Sequence, residues 1–171
     1  TNISVTDFTI ANNREGIVLL HPYMDYENLP ELILTNSIVY GNNYHGLKLV
    51  TNMENNVITP VINNSIFFNN GYENCLAYVD FQSVLQTEGT FCQDFLNITT
   101  TNINNNPCDE NLNMIIDPLF CNEFDEDYTV TNYSPTIGAG LNGDNIGAYD
   151  IGCEVQVVCE DESSCNYMEG G

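Results

Sequence analysis

Three stretches of the sequence are copies of one another, and they limit the possible folds more than any other feature. The copies are Asp7–Asn13, Asn36–Asn42 and Asn64–Asn70, and each has an Asp or Asn at its start and an Asn at its end, around apolar residues. Their first residues are 29 and 28 positions apart. A fixed period of this size is typical of stacked repeats, in which each unit buries its apolar face against the next. Such arrays serve more often as scaffolds or binding surfaces than as catalytic pockets.

The pattern inside each copy predicts β-strands. Short apolar blocks are bounded by Asn, Asp and Gly, the residues of tight turns. The first two copies are followed by a glycine and a second apolar run, Gly16–Leu20 and Gly46–Val50. Asn, Thr and β-branched residues are too frequent for long helices. We therefore predict an all-β chain in which each repeat of 28 or 29 residues forms one coil of a parallel solenoid, with equivalent strands about 4.8 Å apart.

The residues that open and close each copy are predicted to form the corners of the coil. Asn tolerates a left-handed backbone, and its amide bonds readily to neighbouring backbone groups. Equivalent residues of successive copies are therefore expected to stack as two hydrogen-bonded ladders. The predicted ladders are Asp7, Asn36 and Asn64 at one turn, and Asn13, Asn42 and Asn70 at the next.

Longer polar inserts follow the copies, at His21–Glu31, Thr51–Pro60 and Phe81–Thr90. We predict that they are loops projecting from one edge of the stack, where a rigid scaffold often carries its binding function. The repeat becomes weaker after residue 90. There we predict a further coil over Phe91–Asn104 and the last strands over Asn111–Asn122.

The charge balance excludes two classes of partner. The chain has two basic residues, Arg14 and Lys48, and 24 acidic ones, for a formal net charge of −22. Nucleic acids and anionic membrane surfaces are bound through clustered Lys and Arg, which this chain lacks, so neither is an expected partner. No apolar run reaches the roughly 18 residues that a membrane span needs, so no membrane insertion is predicted. The acidity is explained by solubility in salty water or by the binding of divalent cations.

Calcium is the one cofactor for which the sequence offers candidate ligands. Asp125, Glu126 and Asp127 are consecutive carboxylates in a predicted loop, and Ca²⁺ takes six to eight oxygen ligands from such loops. Further carboxylates stand at Asp109–Glu110 and Glu160–Glu162. None of these sets has the spacing of an EF-hand, and a solvated acidic surface is the alternative interpretation.

The cysteines indicate an extracellular or cell-surface protein. All seven lie after residue 74, and none occurs as a C-x-x-C pair, which argues against zinc or thioredoxin-type chemistry. Disulfides are typical of oxidising compartments. The odd number predicts a free thiol or a partner cysteine outside this chain. Near the C-terminus, Cys153 with Cys159, or Cys159 with Cys165, is expected to form a bond.

The repeat period also predicts particular disulfides. Residues one coil apart are vertical neighbours, and Cβ atoms on adjacent coils lie close to disulfide distance. Cys92 and Cys121 are separated by the same interval as the first two copies, so we expect them to stack and bond. Cys75 and Cys108 are slightly more than one period apart, which fits the same arrangement once a loop intervenes.

Four Asn-X-Ser/Thr sequons are candidate glycosylation sites, although such triplets also arise by chance in a chain so rich in Asn. They begin at Asn2, Asn63, Asn97 and Asn132.

Four motifs follow the copies in a fixed order: Ile116–Phe120, Asp127–Val130, Ser134–Gly140 and Asn145–Tyr149. Together with the copies, they resemble the C-terminal end of right-handed parallel β-helix proteins of the pectin-lyase-like superfamily. The resemblance covers about residues 3–152. It implies that the solenoid is a right-handed parallel β-helix and that the four motifs close it.

A second, shorter resemblance lies at the C-terminus. Cys159–Tyr167 is similar to a Cys-Asn-Tyr module of large secreted and surface proteins of Bacteroidota and related marine bacteria. We therefore expect a β-helix over residues 1–152 and an acidic, cysteine-containing tail, or the start of a following module, over 153–171. The chain begins at Thr1 without a start methionine or signal peptide, so a mature or cut fragment of a longer protein is expected.

The family also contains polysaccharide lyases and hydrolases, so candidate catalytic residues need separate consideration. Lyases resembling this fold use Arg or Lys beside Ca²⁺, but Arg14 and Lys48 occupy different positions of successive repeats, and a solvated or salt-bridged surface role is favoured. Hydrolases need clustered carboxylates, whereas Asp80 stands alone in its strand. His45 is expected to be a surface or turn residue. No catalytic residue is predicted.

The favoured function is a non-catalytic structural or adhesive segment of a larger secreted or cell-surface protein, whose loops contact glycans, cations or neighbouring subunits. Its expected partners are the rest of a larger chain, neighbouring subunits and polysaccharide. The alternatives are the C-terminal part of a polysaccharide lyase or hydrolase with its catalytic coils upstream, and a subunit of an extracellular filament. Tyrosines near the turns are candidates for stacking on sugars, although packing explains them equally well: Tyr23, Tyr26, Tyr40, Tyr44 and Tyr72.

Overall fold

The computed structural model describes residues 2–21, 31–51, 60–71, 76–79 and 96–155. These residues form β-strands, turns and two short 3-10 helices, Glu123–Asp125 and Leu141–Gly143, with no α-helix among them. The strands are β1 (Ile3–Thr6), β2 (Thr9–Ala11), β3 (Ile17–His21), β4 (Leu32–Thr35), β5 (Ile38–Tyr40), β6 (Leu47–Thr51), β7 (Val61–Asn63), β8 (Ile66–Phe68), β9 (Leu76–Val79), β10 (Thr100–Thr101), β11 (Pro107–Cys108), β12 (Phe120–Asn122), β13 (Asp127–Thr131) and β14 (Ile151–Cys153). The prediction of an all-β chain is confirmed.

Nine of these strands form three parallel sheets, each of which takes one strand from each repeat. The orders are β1-β4-β7, β2-β5-β8 and β3-β6-β9. In the second sheet Thr9 lies opposite Ile38, and Ile38 lies opposite Ile66, so the register follows the intervals between the copies. In the third sheet Ile17 lies opposite Leu47, an interval one position longer than that between Thr9 and Ile38. Equivalent residues of the copies are therefore direct neighbours in parallel ladders.

The turn between the first two strands of each repeat is built on a left-handed residue, as predicted. Asp7, Asn36 and Asn64 have φ angles of 60°, 50° and 47°. The described hydrogen bonds of the two asparagine side chains do not run along a ladder, however. Asn36 Oδ1 accepts from the backbone N–H of Leu141 at 2.7 Å, and Asn64 Nδ2 donates to the carbonyl of Ala139 at 3.3 Å. At this corner, the two amides bind a distant part of the chain.

The second predicted ladder forms, although its members are not the left-handed residues. Positive φ belongs to the preceding positions in each copy, Asn12, Gly41 and Asn69. Asn42 Oδ1 accepts from the backbone N–H of Asn13 at 3.1 Å. Asn70 Oδ1 in turn accepts from the backbone N–H of Asn42 at 3.1 Å and from its Nδ2 at 2.8 Å. Each amide thus satisfies buried polar groups of the neighbouring repeat.

An inner core lies between the parallel sheets. It consists of residues whose spacing follows the repeat, such as Leu34, Val39 and Phe67. The full set is Leu19, Leu32, Leu34, Val39, Leu47, Ile62, Phe67 and Leu96. Burial of these side chains is the largest favourable contribution available to a unit that cannot cover its own apolar face.

An outer core lies on the opposite face of the β2-β5-β8 sheet. Side chains alternate across a strand, so Ile38 and Tyr40 point away from Val39, and Ile66 points away from Phe67. They are buried nevertheless, with Met114, Ala139 and other residues from later in the chain. The full set is Ile38, Tyr40, Ile66, Cys108, Met114, Ala139 and Ile146. This sheet is therefore covered on both faces.

Residues 134–148, here called the closing segment, cover much of the outer core. The backbone N–H of Gly147 donates to the carbonyl of Asn36 at 2.7 Å, and the N–H of Ala148 donates to Thr9 Oγ1 at 3.1 Å. Gly147 has φ +100°, and a Cβ at this position would lie 2.6 Å from Ile38 Cδ1. Close approach of the segment to the sheet therefore requires glycine here.

In the described part of the chain between the repeats and the closing segment, residues 113 and 114 continue the stack. Met114 forms a parallel bridge with Ile66, and Asn113 Nδ2 donates to the carbonyl of Ile62 at 2.7 Å. β10 and β11 form an antiparallel pair. β13 pairs antiparallel with β12 and parallel with β14. Of the predicted Phe91–Asn104 coil, residues 91–95 lie outside the described residues.

The disulfide pairs predicted from the repeat period are wrong. Cys121 bonds to Cys153, with a Cα–Cα distance of 5.9 Å. This bond excludes the Cys92–Cys121 pair. It also excludes the Cys153–Cys159 pair that was one of the two predicted near the C-terminus. Cys121 lies in β12, which pairs antiparallel with β13 and belongs to none of the three parallel sheets, so residues one period apart are no longer vertical neighbours.

Cys108 is a buried free thiol, which excludes the predicted Cys75–Cys108 pair. It packs in the outer core, where burial and the neighbouring Asp109 raise the pKa of its thiol. The other cysteines named as candidates, Cys75, Cys92, Cys159 and Cys165, lie outside the described residues, as does most of the predicted tail, residues 156–171.

Candidate functional site

A surface cleft of about 440 Å³ lies beside the outer core, between the β12-β13-β14 sheet and β5. Aromatic rings and acidic or amide side chains line it together. Its residues are Tyr40, Asp117, Leu119, Phe120, Cys121, Asn122, Glu123, Phe124, Thr131, Tyr133 and Val155. We call it the aromatic cleft.

The repeat and the later chain each supply one wall of the aromatic cleft. Tyr40 is the last residue of β5 and is on the outer face of its sheet. Phe120 and Asn122 lie at the ends of β12, and Glu123 and Phe124 follow in the 3-10 helix Glu123–Asp125. The cleft therefore exists only because the chain after residue 116 packs back onto the second repeat.

A hydrogen bond joins the two walls. The Tyr40 hydroxyl donates to the Glu123 carboxylate, across 83 positions of sequence. Burial and the Glu123 carboxylate raise the pKa of Tyr40 to about 12. The phenol therefore remains a protonated donor at every physiological pH, and Glu123 has a fixed position in the cleft.

Packed rings form the base of the aromatic cleft. Phe120 makes edge-on contacts with Tyr40 and Tyr128, with ring centroids 5.1 and 5.2 Å apart. Asn12 Nδ2 donates to the Tyr128 hydroxyl at 2.9 Å, which connects this base to the first repeat. Edge-to-face geometry is one of the two favoured arrangements of aromatic pairs, so these contacts stabilise the base.

Two further rings of the cleft are left open to solvent. Phe124 exposes 91% of its surface and Tyr133 exposes 59%. A phenylalanine this exposed gains almost nothing from the fold, and large exposed apolar groups beside polar ones are typical of binding sites. These two rings are therefore available to a ligand.

The two carboxylates of the aromatic cleft accept hydrogen bonds, and one lining hydroxyl is unsatisfied. Asp117 accepts from the backbone N–H of Leu119 at 2.9 Å, and Glu123 accepts from Tyr40. Thr131 is only 8% exposed, and its Oγ1 has no hydrogen-bond partner among the described residues. No basic side chain lines the cleft in the described part of the chain.

A second cleft of about 490 Å³ adjoins the first and shares Asp117, Leu119 and Tyr133 with it. Its remaining lining is rich in amides. It comprises Asn104, Asn106, Ile116, Asn132, Ser134, Pro135 and Ile137. The two clefts flank Tyr133, so one exposed ring borders both.

Arg14 and His45 lie at the turns before β3 and β6, Lys48 lies in β6, and none of the three lines either cleft. Lys48 Nζ and His45 Nδ1 contact the Glu15 carboxylate at 3.2 and 3.0 Å. The Arg14 guanidinium lies over the Tyr44 ring, 5.2 Å from its centroid. Burial alone would raise the pKa of Glu15, but the hydrogen bonds and charges of His45 and Lys48 outweigh it, and the pKa is lowered. Lys48 therefore has the salt-bridged surface role that its sequence position favoured.

The carboxylates predicted to bind calcium are used in local turns. Asp125 accepts from Asn122 Nδ2 at 2.7 Å, and Asp127 Oδ1 accepts from the hydroxyl and backbone N–H of Thr129. Glu126 is the left-handed residue that ends the 3-10 helix. Among the described residues no three His, Cys, Asp or Glu side chains form a group that would hold a metal ion. Asp80 and Glu160–Glu162 lie outside these residues.

The four sequons differ in accessibility. Asn97 and its Thr99 are both exposed, as are Asn2 and Ser4, although Asn2 donates to Glu31 at 2.9 Å. In the other two sequons, which begin at Asn63 and Asn132, the hydroxyl residue is buried in the folded chain. Glycosylation at any of them stays a prediction.

Sequence reasoning identified only part of the aromatic cleft. Tyr40 was a candidate for sugar stacking, and Asp117 and Phe120 belong to a motif interpreted as structural. Glu123, Phe124 and Tyr133 were missed. The available signal was Phe124 itself, an aromatic residue between two acidic ones in a predicted loop, where no core is available to bury it.

Comparison with known proteins gives no further guidance: no family model, no curated protein and no solved structure matches the chain. Within the described residues, no helix has the length and apolar character needed to cross a bilayer.

Proposed function

We propose that this chain is part of an extracellular, non-catalytic right-handed parallel β-helix that presents the aromatic cleft to glycans. The parallel register of all three sheets supports one coil per repeat, because each strand pairs with its equivalents in the neighbouring repeats. Crossovers between parallel strands of one sheet are right-handed in about 98% of cases. The Cys121–Cys153 disulfide supports an oxidising compartment.

The observation that carries the glycan-binding role is the pair of exposed rings beside fixed hydrogen-bond acceptors. Sugar rings present apolar C–H faces that stack on aromatic side chains, and hydroxyl groups that donate to carboxylates and amides. Phe124 and Tyr133 supply the rings, while Asp117 and Glu123 supply the acceptors. Both acceptors already hold positions set by protein hydrogen bonds, which suits binding without rearrangement.

The hydrogen bonds that hold the two acceptors also favour a role in binding over glycoside cleavage. Hydrolysis requires one carboxyl group to donate a proton and another to activate water or attack the sugar. Glu123 and Asp117 instead already accept hydrogen bonds, from the Tyr40 hydroxyl and from the backbone N–H of Leu119, which suits them to hold a ligand as acceptors.

The proposal is tested by titrating the full chain with a panel of soluble oligosaccharides in a calorimeter. Phe124→Ala is expected to weaken binding about tenfold, the upper value of one aromatic contact. Phe8→Ala is the matched control, because Phe8 is also an exposed ring, at 53%, but does not line the cleft. Equal losses in both variants, or cleavage of pectin or alginate with release of unsaturated products, would contradict the proposal.

A further inference from the structure

We propose that the aromatic cleft selects saccharides that carry a free ammonium group, that is, amino sugars without an N-acetyl group. This inference rests on the proposed glycan-binding function and specifies the ligand. The carrying observation is the combination of two carboxylates and two exposed rings in one cleft that has no basic side chain in its described lining.

The carboxylates set the sign of the ligand charge. Asp117 and Glu123 both line the cleft, and the chain as a whole has a formal net charge of −22. A uronate would be repelled by both the local carboxylates and the overall field, whereas an ammonium group would be attracted by both. Acidic polysaccharides are therefore poor candidates for this cleft.

The rings favour the same ligand. The faces of aromatic rings attract cations within about 6 Å of their centroid, and they also stack on the C–H faces of sugars. Phe124 and Tyr133 have most of their surface free for such contacts. An amino sugar uses both properties at once, because its ammonium group is attached directly to the ring that stacks.

The experiment compares four probes on the full chain by calorimetry at low and high salt. They are a β-1,4-linked glucosamine oligomer, the same oligomer fully N-acetylated, an oligogalacturonate and oligolysine. We expect the glucosamine oligomer to bind at least tenfold more tightly than its acetylated form, and its affinity to fall with added salt. No binding of the oligogalacturonate is expected.

Two variants separate the contribution of the Glu123 charge to affinity from that of the Phe124 ring. Glu123→Gln preserves an acceptor for Tyr40 and removes the charge, so it should reduce affinity for the glucosamine oligomer about tenfold and leave the acetylated oligomer unaffected. Phe124→Ala should weaken binding of both. Glu110→Gln is the matched control, because Glu110 is exposed and lies outside the cleft.

The outcomes distinguish this inference from the proposed function. Equal affinity for the acetylated and free oligomers would overturn the preference for ammonium and leave the glycan-binding function standing. Oligolysine binding as tightly as the glucosamine oligomer, with no effect of Phe124→Ala, would show attraction by charge alone and overturn the inference. If none of the saccharides binds, the proposed function itself fails.

Discussion

The two faces of the β2-β5-β8 sheet are buried by different means. The inner face, with Val39 and Phe67, packs against residues of the three repeats and against Leu96. The outer face, with Ile38 and Ile66, is buried by residues that come much later in the chain, Met114, Ala139 and Ile146. The repeat period therefore accounts for the burial of the inner face, but not for the burial of the outer face. The aromatic cleft lies at the border of the other face.

The largest expected effect concerns the inner face. Phe67→Ala removes a fully buried ring from the inner core and should lower the free energy of unfolding by about 3–5 kcal/mol. Chemical denaturation followed by circular dichroism measures the loss. Phe8→Ala, with a half-exposed ring, should cost less than about 1 kcal/mol. Similar losses in both variants would mean that the inner face does not carry the stability of the sheet.

The outer face is probed at the contact of the closing segment. Gly147→Ala places a Cβ 2.6 Å from Ile38 Cδ1 at a left-handed φ, so a loss of about 3 kcal/mol is expected. Gly143→Ala is the matched control, because its φ is +84° but nothing lies within 4 Å of the added Cβ. This control should show only the backbone strain, about 1 kcal/mol. If the two variants lose equal stability, the closing segment is not tightly packed on the sheet.

The asparagine ladder of Asn13, Asn42 and Asn70 extends the comparison, because it connects the repeats through hydrogen bonds and contributes no side chain to the inner or the outer core. Asn42→Ala removes the part-buried hydrogen bond to the Asn13 backbone N–H and the buried one to Asn70 Oδ1, so about 2 kcal/mol should be lost. Asn43→Ala, at the exposed neighbouring position, should change the stability by under about 0.5 kcal/mol. A negligible effect of Asn42→Ala would show that water replaces the ladder.

The smallest expected effect is the pH dependence of the Glu15 cluster. The pKa of Glu15 is lower in the folded chain, so its stabilising contribution is complete above the unfolded value of about 4.5 and is lost as the pH falls through the folded value. Glu15→Gln should therefore cost under about 1 kcal/mol at neutral pH, as for an exposed ion pair.

This difference between wild type and Glu15→Gln should shrink below about pH 4.5. Melting temperatures across a pH series measure it, and Glu110→Gln controls for the loss of an acidic side chain elsewhere on the surface. A difference that grows on acidification would contradict the assigned sign.

Much of the repeat could be predicted from the sequence. The strands, the parallel register and the left-handed corners at Asp7, Asn36 and Asn64 follow from local apolar blocks and from turn residues with few conformational choices. The second ladder was also predicted, although the left-handed residue is one position earlier. Local chemistry is sufficient here because equivalent residues are neighbours.

The same reasoning failed once the repeat ended. The period that correctly aligned Thr9 with Ile38 wrongly paired Cys92 with Cys121, because β12 pairs antiparallel with β13 and is not part of the parallel sheets. The Asn36 and Asn64 amides were expected along a ladder but bind the closing segment. The aromatic cleft was recognised only through Tyr40, since Phe124 and Tyr133 have no periodic relation to it.

The sequence thus contains the all-β class, the repeat and its parallel alignment, since these depend on alternation and turn chemistry within a single period. Which distant residues bury the outer face, which cysteine bonds to Cys121 and where Glu123 meets Tyr40 depend on how the later chain folds back. Those contacts join residues that are far apart in the sequence and follow no period. They are specified by shape complementarity between surfaces that exist only after the repeats have stacked.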